Sequence, residues 1–365
     1  SPIYSGVSGT VKKIDEIIAA NGAHITTVVI EPDGLQTVHE DIKPPVLENR
    51  EQFLDAVRMS GIVGLGGAGF PTAVKLSADT SKIDAIVVNG AECEPYITSD
   101  TRTMLDEPDV IADGLKMLTE YLGVKRVVIG IENNKRKCIA ALKKAVRGIE
   151  GVSVKALPAV YPQGGEKVLV YHTVGRVIKE GQLPLDAGVI VINCTTVAAI
   201  AKYIRTGMPL VEKCVTVDGS AIAEPKNVIA PIGTPALELI EFCGGFKTQP
   251  RKILWGGPMM GIALPDLNMP VMKQTNAILA FDRKDATPPE ETACIKCGQC
   301  IDHCPLRLSP SAINKAYEAK DTVALQKLKV NLCMECGSCS YVCPAKKNLV
   351  QTNKLAKAML RNGGK

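Results

Sequence analysis

The chain has 365 residues, 46% of them hydrophobic, and a net charge of +5 at pH 7. That length sets an expectation of roughly two to four domains, the composition excludes a disordered or fibrous chain, and no apolar run approaches the ~18 residues of a membrane span. With five Phe and one Trp, its cores must be built largely from Val, Ile, Leu and Ala, and no aromatic interleaving of its basic C-terminal stretch, where only Tyr341 lies nearby, supports nucleic-acid binding.

Residues 1–40 are β-rich, with Gly6, Gly9, Gly22 and Gly34 punctuating short segments, and read like the second half of a small β domain. No secretory signal pattern opens the chain, so disulfides are not expected. Lys43-Pro44-Pro45 marks a linker, and apolar side chains at 53, 54 and 57 predict a helix over 50–59. Residues 61–69 then hold five glycines in nine positions, Gly-Ile-Val-Gly-Leu-Gly-Gly-Ala-Gly. Such a loop lets backbone N–H groups approach an anion closely. It is not a P-loop, because no Gly-Lys-Ser/Thr follows, and it does not open after a strand as the dinucleotide fingerprint does. Lys75 follows, placed to pair with a phosphate.

Strands and helices alternate from there. Strands are predicted at Ile83–Asn89, Arg126–Ile131, Val152–Leu157 and Val189–Asn193, with helices over 109–122, 133–149, 164–174 and 195–205. Alternation of this kind means a parallel sheet covered on both faces, with ligands beyond the C-terminal strand ends. Three polar stretches fall there: Asn89-Gly-Ala-Glu-Cys-Glu-Pro95, Tyr161-Pro-Gln-Gly-Gly-Glu-Lys167 and Asn193-Cys-Thr-Thr196. Each alone reads as an ordinary turn or helix cap. Together with the glycine loop they form one rim, which favours a nucleotide-type cofactor.

Between 207 and 280 the alternation stops. Short strands at 211–218 and 252–255 and a helical stretch near 234–243 predict a small α+β module. Thr287-Pro288-Pro289-Glu290 links it to a cysteine-rich tail.

That tail carries Cys294, Cys297, Cys300 and Cys304 before Pro305, and Cys333, Cys336, Cys339 and Cys343 before Pro344. Both runs read C-x2-C-x2-C-x3-C-P, the spacing of two-cluster ferredoxins, in which the fourth cysteine of each run serves the other cluster. The spacing therefore assigns one [4Fe–4S] cluster to Cys294, Cys297, Cys300 and Cys343, and the second to Cys333, Cys336, Cys339 and Cys304. Zinc is the competitor, but structural zinc sites use cysteine pairs without a third at equal spacing. Cys93, Cys138, Cys194, Cys214 and Cys243 are scattered singly, and most of them read as buried free thiols. Residues 310–329 read as a helical connection. From Ser340 to Lys365 the sequence holds six basic residues, Lys346, Lys347, Lys354, Lys357, Arg361 and Lys365, and no acidic one, which is either a solvated helix face or a docking surface for an acidic partner or membrane.

In order, Gly-Leu-Gly-Gly-Ala-Gly-Phe-Pro-Thr, Val-Asn-Gly-Ala-Glu-Cys-Glu-Pro, Tyr-Pro-Gln-Gly-Gly-Glu-Lys and the twin cysteine runs resemble the C subunit of the Rnf complex, a membrane-bound ferredoxin:NAD oxidoreductase coupled to ion translocation. The α/β and β-grasp parts are also similar to the NADH-binding subunit of respiratory complex I. The resemblance implies a multidomain α/β chain: a partial barrel-sandwich hybrid over 1–42, a Rossmann-like FMN/NADH-binding domain over 43–206, a β-grasp (SLBB) module over 207–280 and a helical two-cluster ferredoxin domain over 281–365. It implies that Gly64, Gly66, Gly67 and Lys75 cradle the FMN phosphate. Asn89, Glu92 and Asn193 would hold the flavin, with Thr196 near its phosphate. Phe70 would pack on the nicotinamide nucleotide, and Glu94 and Glu166, beside Gly165, would contact NADH at the catalytic centre. Leu65, Ala91 and Gly165 stand where complex I has Arg, Asp and Glu.

The expected cofactors are thus two [4Fe–4S] clusters, FMN and NAD(H). The expected partners are the other subunits of an Rnf-type complex, notably its ferredoxin-like B subunit, with no nucleic acid and no transmembrane segment. The expected location is peripheral, on the cytoplasmic side of the cell membrane. Alternatives are a corrinoid reductase of propanediol-using microcompartments, which resembles the same family, a flavin-free iron–sulfur wiring adaptor, and a zinc-stapled scaffold.

Overall fold

The computed structural model describes residues 1–18 and 22–363. A hairpin comes first, β1 (Gly9–Ile18) antiparallel to β2 (His24–Pro32), with Val11, Ile14 and Val28 exposed. The segment before it is tied to the glycine loop: Ser1 Oγ donates to the Gly61 carbonyl (2.9 Å) and Tyr4 to that of Met59 (2.6 Å).

The central domain runs α1 (Arg50–Met59), α2 (Thr72–Leu76), β3 (Ala85–Asn89), α3 (Ser99–Asp106), α4 (Pro108–Leu122), β4 (Val127–Glu132), α5 (Arg136–Ala145), β5 (Val152–Leu157), α6 (Glu166–Val174), β6 (Val189–Asn193) and α7 (Cys194–Thr206). Its four strands are parallel in the order β5-β4-β3-β6. Ala-Ile-Val-Val and Val-Ile-Val-Ile runs make β3 and β6, and every one of those side chains is buried. Alternate residues feed two cores. Ile86, Val88, Ile190 and Ile192 pack toward α1, α4 and α7, whereas Val87, Val189 and Val191 pack toward α6. Both faces are covered, as a parallel sheet requires. Gly114 lets α4 lie against α7, since a Cβ there would stand 2.5 Å from the Val197 carbonyl oxygen.

The next module holds β7 (Glu212–Asp218), β8 (Lys226–Pro231), α8 (Ala236–Phe242), β9 (Lys252–Trp255), β10 (Ile262–Ala263) and β11 (Ala277–Phe281), a mixed sheet in the order β10-β9-β11-β7-β8 with α8 on its core. The tail is helical: α9 (Arg283–Ala286), α10 (Gln299–Asp302), α11 (Pro310–Glu318), α12 (Thr322–Lys327), α13 (Ser338–Tyr341) and α14 (Leu349–Arg361).

Two readings need correction. The helix expected over 133–149 is confined to α5, because Asn133–Lys135 turn first and residues 146–151 leave the helix at Val146. The helical connection over 310–329 is two helices, broken where Lys320 takes a left-handed φ of 54° and Asp321 caps α12 through Ala324 N (2.9 Å). Helix α3, strands β8, β10 and β11, and the extent of α14 carried too weak a periodicity to be placed from sequence. Cys194 opens α7 and Cys214 lies within β7, while Cys138, Cys194 and Cys243 are buried free thiols.

Candidate functional site

The sheet order places β3 beside β6, where the strand order reverses, and Asn89 pairs in register with Asn193 at their C-terminal ends. A crevice at such a switch point is where open α/β sheets take ligands. The glycine loop lies over it. Val63 bridges Pro71, Gly64 N–H donates to the Phe70 carbonyl (2.8 Å), and Leu65 N–H donates to Thr196 Oγ1 (3.0 Å). Gly66 sits against Asn193, where a Cβ would come within 3.1 Å of Nδ2. Among the described residues, the N–H groups of Gly66, Gly67 and Ala68 make no hydrogen bond. All three residues are exposed, so these N–H groups are open to solvent or a ligand. Free N–H groups in a glycine loop beside the α7 N-terminus are the donor set an anion nest needs, and the residues present fit the phosphate of FMN.

The second and third motifs are stitched together across the crevice. Asn89 Nδ2 donates to the Gly164 carbonyl (2.9 Å), and Gly164 N–H points at Cys93 Sγ (3.5 Å). Burial pushes the Cys93 thiol up to about 11, so it stays protonated. Lys75 and Glu166 are brought together (3.0 Å), with the Lys75 ammonium also on the Val191 carbonyl (3.0 Å). Phe70 is half-exposed at the mouth of the loop, open to a stacking partner.

Glu92 stands differently from a free cofactor contact. Its carboxylate accepts Asp100 N–H (2.8 Å), Thr101 N–H (3.0 Å), Thr101 Oγ1 (2.7 Å) and Ser99 Oγ (3.3 Å), so it caps α3, whose own N-cap Thr98 makes no side-chain capping bond. Asp100 in turn accepts Asn193 Nδ2 (2.7 Å) and Thr195 Oγ1 (2.6 Å). Lys213 is buried below, donating to the Leu65 carbonyl (2.9 Å) and Asn276 Oδ1 (2.7 Å), and burial lowers its ammonium to about 8. Asp100, Lys213 and Asn276 were not found from sequence, since they lie outside the rim motifs, and Thr195, inside the Asn193-Cys-Thr-Thr196 stretch, was given no role.

Burial, then the charge of Asp100, raises the Glu92 carboxyl above the usual carboxylate range. The folded state consequently holds a proton there more tightly than the unfolded chain, and stability is lost as pH rises through the raised value. Asp100→Asn removes the repulsion. Its melting temperature is expected to fall less between pH 5 and pH 8 than the parent's, and equal slopes would refute the pairing.

A cavity of about 590 Å3 lies behind the glycine loop, between α3, α7 and the β7–β8 strands. It includes Leu65 but none of Gly64, Gly66, Gly67, Asn89 or Asn193, so it is not the crevice just described.

The cysteine runs repeat one backbone. Lys296 and Glu335 are left-handed (φ 58° and 60°), as are Gly298 and Gly337 (80° and 82°) and Arg307 and Lys346 (56° and 54°). Cys304, Cys333, Cys336 and Cys339 line a single small cavity. Glu335 N–H and Asn353 Nδ2 point at Cys333 Sγ and Leu308 N–H at Cys304 Sγ (3.4 Å each). Burial, with the charges of Cys333, Cys336 and Cys304, pushes the Cys339 thiol up to about 12. Four enclosed sulfurs that would repel as thiolates, each run supplying N–H···S donors, fit a cationic iron–sulfur core. In the other quartet Cys300 packs with Cys343, Ala345 and Leu349, Thr292 N–H reaches the Ala345 carbonyl (3.0 Å), and Cys294 and Cys297 are exposed. No three His, Cys, Asp or Glu side chains among the described residues converge as ligands of a single metal ion.

Three family models match the chain: a Nuo51 FMN-binding domain over residues 57–202, an SLBB domain over 214–263 and a 4Fe-4S dicluster domain over 289–344. The chain is 42% identical over 318 residues to the C subunit of the proton-translocating ferredoxin:NAD(+) oxidoreductase complex of Clostridium ljungdahlii, covering 86% of this chain and 69% of that protein. It is 42% identical over 315 residues to the Na(+)-translocating counterpart of Acetobacterium woodii, covering 85% and 71%. It is 40% identical over 370 residues to the C subunit of the ion-translocating oxidoreductase complex of Rhodobacter capsulatus, covering 98% and 70%. In fold it is similar to a chain of an NAD+-reducing [NiFe]-hydrogenase in the H2-reduced state, with a TM-score of 0.60 at 17% identity, covering 86% of this chain and 61% of that one.

Proposed function

This chain belongs to the family of C subunits of ion-translocating ferredoxin:NAD+ oxidoreductase complexes, and from that premise we propose that it is the subunit exchanging electrons between NAD(H) and the rest of such a complex. Bound FMN supplies the conversion between hydride pairs and single electrons, and bound [4Fe–4S] clusters supply the one-electron relay. The protein's part is placement. Gly66, Gly67 and Ala68 offer N–H groups to the flavin phosphate, Asn193 holds the α7 N-terminus beside them, and Phe70 offers a flat face to the nicotinamide nucleotide. Lys75 and Glu166 line the approach. Cys304, Cys333, Cys336 and Cys339 hold the enclosed cluster, and Cys294, Cys297, Cys300 and Cys343 the outward one.

The observation that carries this reading is adjacency. The enclosed quartet abuts the third motif of the rim, where a Cβ on Gly165 would come 2.7 Å from Met334 Cε. Electrons need cross only one short packed seam between rim and quartet.

No helix among the described residues is long and apolar enough to cross a membrane. We place ion translocation in other subunits and the chain peripherally on the cytoplasmic side. The partner for the outward cluster would be an acidic iron–sulfur surface such as that of a ferredoxin-like B subunit. Of the tail cations, Lys347 pairs with Glu291 (2.7 Å) and Lys357 with Glu335, while Lys346 and Arg361 are exposed and Lys354 half-exposed. Lys365 lies outside the described residues. NADH added anaerobically is expected to bleach the flavin absorbance and then bring up the EPR signals of reduced clusters. An unchanged spectrum in flavin- and cluster-loaded protein would refute the reading.

A further inference from the structure

Four segments far apart in sequence close on one seam beside the enclosed quartet. Tyr161 Oη donates to the Cys336 carbonyl (2.8 Å) and has Glu94 Oε1 as a second acceptor at 3.4 Å. Glu94 is fixed from the other side by the N–H groups of Met259 (3.1 Å) and Met260 (2.8 Å). Gly257 is a glycine because a Cβ there would stand 2.1 Å from Glu94 Oε2, and a Cβ on Gly337 would stand 2.9 Å from the Met259 carbonyl oxygen. The second rim motif, the third rim motif, the β9–β10 turn and the cysteine loop thus meet through one carboxylate and one phenol.

We propose that Glu94 and Tyr161 form a strut that positions the Cys333–Cys339 loop against the flavin crevice and sets the potential of the cluster held there. This rests on the reading of the quartet given above. The phenol acts as a hydrogen-bond donor, with the Cys336 carbonyl at 2.8 Å and Glu94 Oε1 at 3.4 Å as its acceptors. Its hydrogen lies between two acceptors, one on a cluster ligand and one on a carboxylate, so the local field at the quartet depends on both groups. Cluster potentials respond to hydrogen bonds, net charge and exposure. The donor pointing at Cys336 favours the more negative, reduced cluster, and the Glu94 carboxylate opposes it. The two side chains therefore act with opposite signs, which a packing contact would not.

The test is an EPR-monitored redox titration of the cluster-loaded protein at pH 8, with Cys297→Ala used to assign the enclosed cluster's signal. Tyr161→Phe is expected to lower that cluster's reduced-to-oxidised ratio at fixed potential at least threefold, about 28 mV at 59 mV per decade for one electron. Glu94→Gln is expected to raise it, and the outward cluster should not move in either variant. Potentials unchanged in both variants, shifts of the same sign, or equal shifts in both clusters would overturn the strut. If Tyr161→Phe loses iron, Glu94→Gln alone decides by the same selective rise. Parent protein without two cluster signals would instead strike at the ligand assignment, so the two failures are distinguishable.

Discussion

In Cys336→Ala protein, iron is expected to fall to about half while flavin binding is retained. Cys336 is buried in the cavity with Cys304, Cys333 and Cys339. Removing its sulfur leaves three thiolates around an enclosed site, and the side chain hydrogen-bonded to that sulfur is the Ser338 hydroxyl (3.4 Å), a hard, neutral oxygen that replaces a thiolate poorly, so the cluster there is lost. Its backbone carbonyl, which receives the Tyr161 hydroxyl (2.8 Å), survives in alanine, so the seam with the flavin crevice stays closed. The contrast is Cys297→Ala, which removes an exposed ligand from the outward quartet and should also halve the iron. The variants part after NADH is added. Both bleach the flavin. Cys297→Ala still develops the reduced signal of the enclosed cluster, whereas Cys336→Ala leaves the outward cluster oxidised, because the relay has lost its inlet. Iron counts separate the quartets, and rapid-freeze EPR gives the order. Reduction of the outward cluster in Cys336→Ala at the parent's rate would refute the placement of the enclosed quartet next to the flavin.

The parallel sheet was legible because β3 and β6 are unbroken β-branched runs that have no amphipathic option. The cysteine quartets were legible because cluster ligation imposes a local spacing. Family membership was legible in the same motifs, and the related chains bear it out at 42% identity. Residue roles were harder, because a motif names a residue without saying which way it faces. Glu92 and Glu94 lie two residues apart on one turn, yet one is spent on the N-terminus of α3 and the other reaches the amides of Met259 and Met260. Nothing local marks that difference, since the partners arrive from residues 99–101 and 259–260. Tyr161 was read only as the first residue of a glycine motif. Its partner Cys336 is 175 positions on, and no periodicity carries information over that distance. Gly257 belongs to no motif, and its necessity appears only when Glu94 fills the space a Cβ would need.

The same logic gives the largest effect expected on the flavin. Gly164 has its carbonyl on Asn89 Nδ2 (2.9 Å) and its N–H toward Cys93 Sγ (3.5 Å), so it joins the second and third motifs across the crevice. A Cβ there would stand 2.6 Å from the Ala91 carbonyl oxygen. That neighbour is backbone and cannot rotate away, so Gly164→Ala must push the two motifs apart. Overpacking of this kind costs about 1–3 kcal/mol, and the displaced groups are those that frame the flavin. Gly175→Ala is the matched control. Gly175 ends α6 with a left-handed φ of 75° and nothing within 4 Å of an added Cβ, so alanine there costs about 1–2 kcal/mol in backbone strain alone. Both variants should melt a few degrees below the parent. Only Gly164→Ala should lose flavin, at least about tenfold in affinity for each ~1.4 kcal/mol that falls on the bound state. If the two variants kept flavin equally, the crevice between Asn89, Gly164 and Asn193 would not be where it binds. If neither lost stability, the close approach to Ala91 would not be a constraint on the fold.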